Sequence, residues 1–121
     1  MKRRDTLDFK QLRKTNVRRC VRVFQHPLDD WTLLEWAGAL CGEAGEAANV
    51  AKKIRRLTTS GKVKAWHRGR STELLEALAD EVADVVIYAD LLLAAAGADL
   101  GEAVRRKFNK TSAERKSKVR L

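Results

Sequence analysis

The chain is sparing in the residues that would mark several kinds of protein. It has one proline, two cysteines, two histidines and one tyrosine in 121 residues. With only Cys20 and Cys41 available, and Cys41 placed in an apolar helical pattern where a small buried residue is expected, a reducing cytoplasm is the expected setting. Neither His26 nor His67 stands three residues after a glutamate, which removes the Glu-x-x-His pairs of di-iron bundles. There is no long uncharged apolar run, and the basic start MKRRDTLDFK leads into no hydrophobic region, so neither a membrane span nor a secretory signal is expected. No strand-like alternation, internal repeat or inter-domain linker is apparent.

What the chain does have is apolar and charged residue in quantity, 45% and 34%, the composition of a folded globular protein rather than a disordered one. Its length suits a single domain over residues 1–121, small enough that oligomerisation would help its core. Acids are outnumbered: the net charge is +9 and the pI about 10.0. The long-range field therefore attracts anions, whether nucleotides, nucleic acid or acidic proteins.

The periodicity predicts an all-α fold of four helices. The first covers about residues 7–24, with Phe9, Leu12, Val17, Cys20, Val21 and Phe24 as its apolar side, and stops before His26-Pro27 because proline disfavours helical geometry in its predecessor. After a short acidic turn, Leu28-Asp29-Asp30, the capping-box spacing of Thr32 and Glu35 opens a second helix reaching about Leu57. Gly38, Gly42 and Gly45 lie inside it and each costs about 1 kcal/mol relative to alanine, so close approach of a backbone or ligand is expected there. Residues 58–70, with Lys62, Lys64, Arg68 and Arg70, read as a basic loop that either closes over a substrate or merely connects helices. The third helix spans about residues 72–96 and ends at Gly97; it is apolar on more than one side, as a central or interfacial helix is. Asp99 and Glu102 start a short fourth helix to about Lys110, followed by a basic tail expected to be mobile after about residue 113.

Two acidic pairs stand out, Glu43 with Glu46 and Glu81 with Asp84. Three residues advance a helix by about 300°, so each pair projects from one side of its helix. A solvated helix face is the ordinary explanation for such a pair. Here Asp84 sits in EVADVVIYAD and the glutamates in CGEAGEA, where hydration is poor. Convergent acids without a cation would repel one another and raise their pKa values. Carboxylates with no histidine or thiolate nearby suit Mg²⁺ or Mn²⁺ rather than zinc, and Mg²⁺ commonly shares its shell with phosphate oxygens. In a basic protein this pattern suggests phosphate-ester chemistry.

Three blocks in this order, HPLDDWTLLEWAGALCGEAGEAANVAKKIRR, EALADEVADVVIYADLLLAAAGADL and EAVRRKFNKTSAER, resemble the all-α nucleoside triphosphate pyrophosphohydrolases of the MazG-like group, which includes dimeric dUTPases and dCTP pyrophosphatases. The resemblance covers about residues 9–115. It implies that Glu43, Glu46, Glu81 and Asp84 bind Mg²⁺, and that a nucleoside triphosphate is cleaved to the monophosphate and pyrophosphate. Glu46 is the candidate for a second, proton-accepting role. Lys53, Lys107 and Asn109 are similar in placement to phosphate and sugar contacts, while His26, Trp31 and Tyr88 match aromatic nucleoside contacts; Trp36 reads as core. Many relatives open the first motif with two adjacent glutamates, whereas Gly42 precedes Glu43 here, a departure that bears on substrate identity more than on reaction type. The family further implies a homodimer or homotetramer. The competing class is a basic helical nucleic-acid-binding or non-catalytic regulatory module, supported by runs such as KKIRR and VRRKFNK but by no recognition motif.

Overall fold

The computed structural model describes residues 6–59, 62–63 and 68–121. Four α-helices dominate it: α1 (Phe9–Arg22), α2 (Leu33–Arg56), α3 (Arg68–Ala95) and α4 (Leu100–Glu114). A single 3₁₀ turn, Leu28–Asp30, precedes α2. The all-α class expected from periodicity is what the chain adopts. No helix among the described residues is long and apolar enough to cross a membrane.

The helix boundaries follow local chemistry. Asp8 caps α1, its carboxylate accepting the Gln11 amide at 2.7 Å, and Asp99 caps α4 by accepting the Glu102 amide at 2.8 Å. The end of α1 comes before the proline is reached: Gln25 turns left-handed at φ 52° and the His26 amide returns to the Cys20 carbonyl at 3.0 Å. Gly97, at φ 71°, closes α3 in a Schellman motif, with the Ala98 amide on Leu93 O and the Gly97 amide on Ala94 O. Lys116 takes the equivalent left-handed position after α4 at φ 55°, where glycine is the unstrained choice.

Three expectations are corrected here. The stretch 58–70 is not simply a loop: Thr58–Thr59 and Lys62–Val63 pair antiparallel as β1 and β2, Thr58 opposite Val63 and Thr59 opposite Lys62. Two-residue strands are too short to show alternation. Its last residues already belong to α3, which starts at Arg68 because a glycine in a first helical turn does not prevent helix formation. Lys64 and His67 lie outside the described residues. The fourth helix, expected to end at about Lys110, continues through Glu114, and beyond it the Leu121 amide donates to Asn109 Oδ1 at 2.9 Å and Asn109 Nδ2 to the Leu121 carbonyl at 3.3 Å.

Contacts divide the chain into two compact units, Met1–Leu33 with Ala89–Leu121, and Leu34–Tyr88. The first contains α1, α4 and the end of α3. Its interior is partly polar: Asp90, 1% exposed, accepts Arg13 Nε at 2.8 Å and Asn16 Nδ2 at 3.1 Å, while Arg13 Nη2 also reaches the Ala98 carbonyl at 2.7 Å. This pin joins α1, α3 and the turn before α4. The one-sided apolar pattern expected for α1 is only partly realised, since Asn16 and Cys20 are buried whereas Phe9, Val21 and Phe24 are exposed. Burial raises the Cys20 thiol pKa, an effect that the neighbouring Arg19 charge partly opposes. Cys41, expected in the core, is exposed.

The second unit contains the rest of α2, the short hairpin and α3 as far as Tyr88. Trp36 is buried, as expected, and its ring lies 6.5 Å from that of Tyr88 at 48°. Gly38, Gly42 and Gly45 face open space: nothing lies within 4 Å of a Cβ built on any of them. The close approach expected to offset them is therefore not made by any of the described residues.

Candidate metal centre

On α2 the residues at 36, 43 and 50 share one side, because seven residues complete nearly two turns. Trp36 and Val50 are the buried residues of this helix. Glu43, midway between them and half-buried, puts a carboxyl where a core side chain would ordinarily stand. On α3 half-buried positions recur at three- and four-residue steps through Leu74, Leu78, Glu81, Asp84 and Tyr88, and two of these five are acids. Trp36 meets Tyr88 and Glu43 meets Glu81 and Asp84, so the number rises along α2 as it falls along α3. The two helices run antiparallel, with the aromatic pair about two turns from the acids on α2.

Glu43, Glu81 and Asp84 each offer a carboxylate oxygen, and these atoms all lie within 4.8 Å of one another. Partial burial raises the Glu43 pKa above the usual carboxylate range, and the negative charges of Asp84, Glu81 and Glu46 add to it in that order. Among the described residues, no lysine or arginine forms an ion pair with any of the three. The donor set fits a hard divalent cation.

The structure thus brings together three of the four acids. Glu46 is exposed and outside the converging group, though close enough for its charge to act on Glu43. Lys53 is exposed and, seven residues on, shares the Glu46 side of α2, about 10 Å along the axis. Tyr88 lies one turn beyond Asp84 and packs on Trp36.

The other candidate residues belong to the first unit. His26 and Trp31 pair edge to face with ring centroids 4.5 Å apart, and His26 Nδ1 lies 3.0 Å from the Pro27 carbonyl. Lys107 is exposed on α4, and the Asn109 amide is occupied on both its donor and acceptor sides by the Leu121 backbone. The Arg13, Asn16 and Asp90 pin was not among the residues singled out from sequence. Its signal was available: Asp90 stands in the apolar run IYADLLLAAA, and Arg13, Asn16 and Cys20 recur at helical spacing on α1. No family model, curated protein sequence or solved structure matches this chain.

Proposed function

We propose that this chain is a Mg²⁺-dependent nucleoside triphosphate pyrophosphohydrolase that converts a ribo- or deoxyribonucleoside triphosphate to the monophosphate and pyrophosphate. One observation carries the reading: Glu43, Glu81 and Asp84 converge from two helices, at core-facing positions, with no cationic side chain among the described residues to neutralise them. Repulsion of this kind persists in a folded protein when a cation relieves it. The resemblance of the three sequence blocks to MazG-like enzymes supports the reaction type.

Mg²⁺, or Mn²⁺ in its place, supplies Lewis-acid polarisation of the phosphoryl oxygens and acidifies the attacking water. Glu43, Glu81 and Asp84 hold that ion. Glu46, not drawn into the group, takes the proton of the water as it attacks phosphorus in line with the leaving oxygen. Lys53, on the same side of α2, offers a point charge to the phosphate chain. The Tyr88 ring, a turn from Asp84, provides a face for the base. His26 and Trp31 as nucleoside contacts, and Lys107 and Asn109 as phosphate and sugar contacts, rest on the resemblance; Asn109 would have to exchange the Leu121 backbone for substrate.

The protein works as a homo-oligomer, a dimer or tetramer, in this reading. Among the described residues only Cys20, Trp36, Val50 and Leu91 are buried apolar side chains, while Leu75, Val82 and Val86 leave one side of α3 exposed. A core that small is marginal for a lone chain. Sedimentation showing a stably folded monomer at micromolar concentration would contradict it. A free, exposed Cys41 thiol suits a reducing cytoplasm.

The activity test is pyrophosphatase-coupled phosphate release over a panel of nucleoside triphosphates, with and without Mg²⁺. Mg²⁺-dependent release by the wild type, absent in Asp84→Asn, is the expected result. No release from any nucleotide would refute the assignment.

A further inference from the structure

The excess positive charge is confined to one part of the chain. The first unit holds 17 of the 25 lysines and arginines against 8 of the 16 acids, whereas the second holds 8 of each. Within the first unit, α1 has six cations and no acid. Arg13 is consumed by Asp90, and Arg19 lies over the Phe24 ring at 5.5 Å. The other four, Lys10, Lys14, Arg18 and Arg22, are all exposed and repeat every fourth residue. They form a stripe on the side of α1 opposite buried Asn16 and Cys20, with steps of about 6 Å and a total rise of about 18 Å.

We propose that this stripe binds the phosphate backbone of a single-stranded nucleic acid, with Phe24 as a stacking platform at its end. Like charges four residues apart destabilise a helix, and the stripe contains three such pairs in succession; α1 itself has no acid, and Asp8 and Asp99 stand only at the Lys10–Lys14 end. A polyanion relieves all of them together by displacing its own counterions onto the solvent. The row turns about 40° around α1 at each step, a path that one flexible backbone can follow, and Phe24, 63% exposed with the Arg19 guanidinium over its ring, supplies on its other side the aromatic surface on which an unpaired base stacks but a paired one cannot. The site needs no divalent ion, and none of Lys10, Lys14, Arg18, Arg22 and Phe24 has a part in the hydrolase reading, so the two stand or fall separately.

The test is fluorescence anisotropy with labelled twelve-nucleotide oligo-dT and oligo-U in EDTA, so that no cation bridges to the acids. Duplex DNA of the same length and phosphatidylserine vesicles serve as the other arms. Four phosphate contacts predict that log K falls against log salt with a slope of about −2.8, or about 50-fold between 50 and 200 mM. Lys14→Gln with Arg18→Gln should halve that slope to about −1.4, and the pair Lys10→Gln with Arg22→Gln should do the same. Phe24→Ala should weaken binding by about 5- to 150-fold at unchanged slope. No binding of either single strand at 50 mM salt overturns the proposal. So does an unaltered slope in both double variants, or duplex or vesicle binding at least as tight.

Discussion

Asp90 and the trio of Glu43, Glu81 and Asp84 are two ways of placing acid in the interior of a helical protein. Asp90 is almost fully buried, and both its oxygens are engaged, one by Arg13 and the other by Asn16. The trio is half-buried, and its members face one another, with no ion pair to a cation among the described residues. In the trio the Glu43 pKa is raised, first by partial burial and then by the negative charges of Asp84, Glu81 and Glu46. A buried acid with its own partners is a structural fastening. Acids assembled without a cationic partner leave a charge to be balanced from outside, which is the part the proposed Mg²⁺ would take.

The largest effect should come from breaking the fastening. Asp90→Ala strands the Arg13 guanidinium and Asn16, and removing one partner of such a pair costs about 3–5 kcal/mol, readable in urea unfolding. A loss below about 1 kcal/mol would mean that Asp90 and the trio do not differ in kind. The amide variants of the second unit should behave in the opposite way. Asp84→Asn and Glu46→Gln should keep helical content by circular dichroism while lowering Mg²⁺-dependent turnover by about 10²-fold or more. Full activity in both would remove the functional half of the contrast.

The pH dependence follows from the sign of the Glu43 shift. A carboxyl whose pKa is higher in the folded protein binds its proton more tightly there, so its contribution is fully present below the unfolded value, about 4.3, and is lost as pH rises through the raised folded value. Cation-free protein should therefore gain thermal stability as the pH falls through that window, and Glu43→Gln should lose this component. Mg²⁺ added at neutral pH should restore stability to the wild type but not to the variant. An identical pH profile for Glu43→Gln and wild type in EDTA would show that the trio carries no such repulsion.

The smallest effect concerns the glycines beside the acids. With open space at Gly42 and Gly45, alanine at either position should stabilise an isolated chain by about 1 kcal/mol. Destabilisation instead, measured at concentrations where the protein self-associates, would show that a neighbouring chain approaches α2 there.

Much of this architecture was legible because it depends on local rules. The helix start at Asp99, the left-handed Gly97 and the spacing of the acidic pairs are short-range features, and the structure contains them, whereas the Asp8 cap of α1 lay inside the stretch read as helix from residue 7. The candidate site was legible for the same reason: a three-residue spacing fixes Glu81 and Asp84 on one side of α3 before any packing is known. Glu46 shows the limit of that rule, since sharing a helix side with Glu43 did not bring it into the converging group. Tertiary partnerships were not legible. Asp90 meets Arg13 across 77 residues of sequence, and the exposure of Phe9, Val21 and Phe24 depends on what packs against α1 rather than on their hydrophobicity. The two-residue strands carry too few residues for any periodicity to register.

The measurement closest to the central claim is a Mn²⁺ titration of the metal-free protein, following the free ion by electron paramagnetic resonance, for wild type and for Glu81→Gln. Saturable uptake of Mn²⁺ by the wild type, displaced by Mg²⁺ and lost in Glu81→Gln while the variant stays folded, is the outcome this account requires. Equal uptake by both proteins, or none by the wild type, would mean that Glu43, Glu81 and Asp84 do not bind a divalent ion.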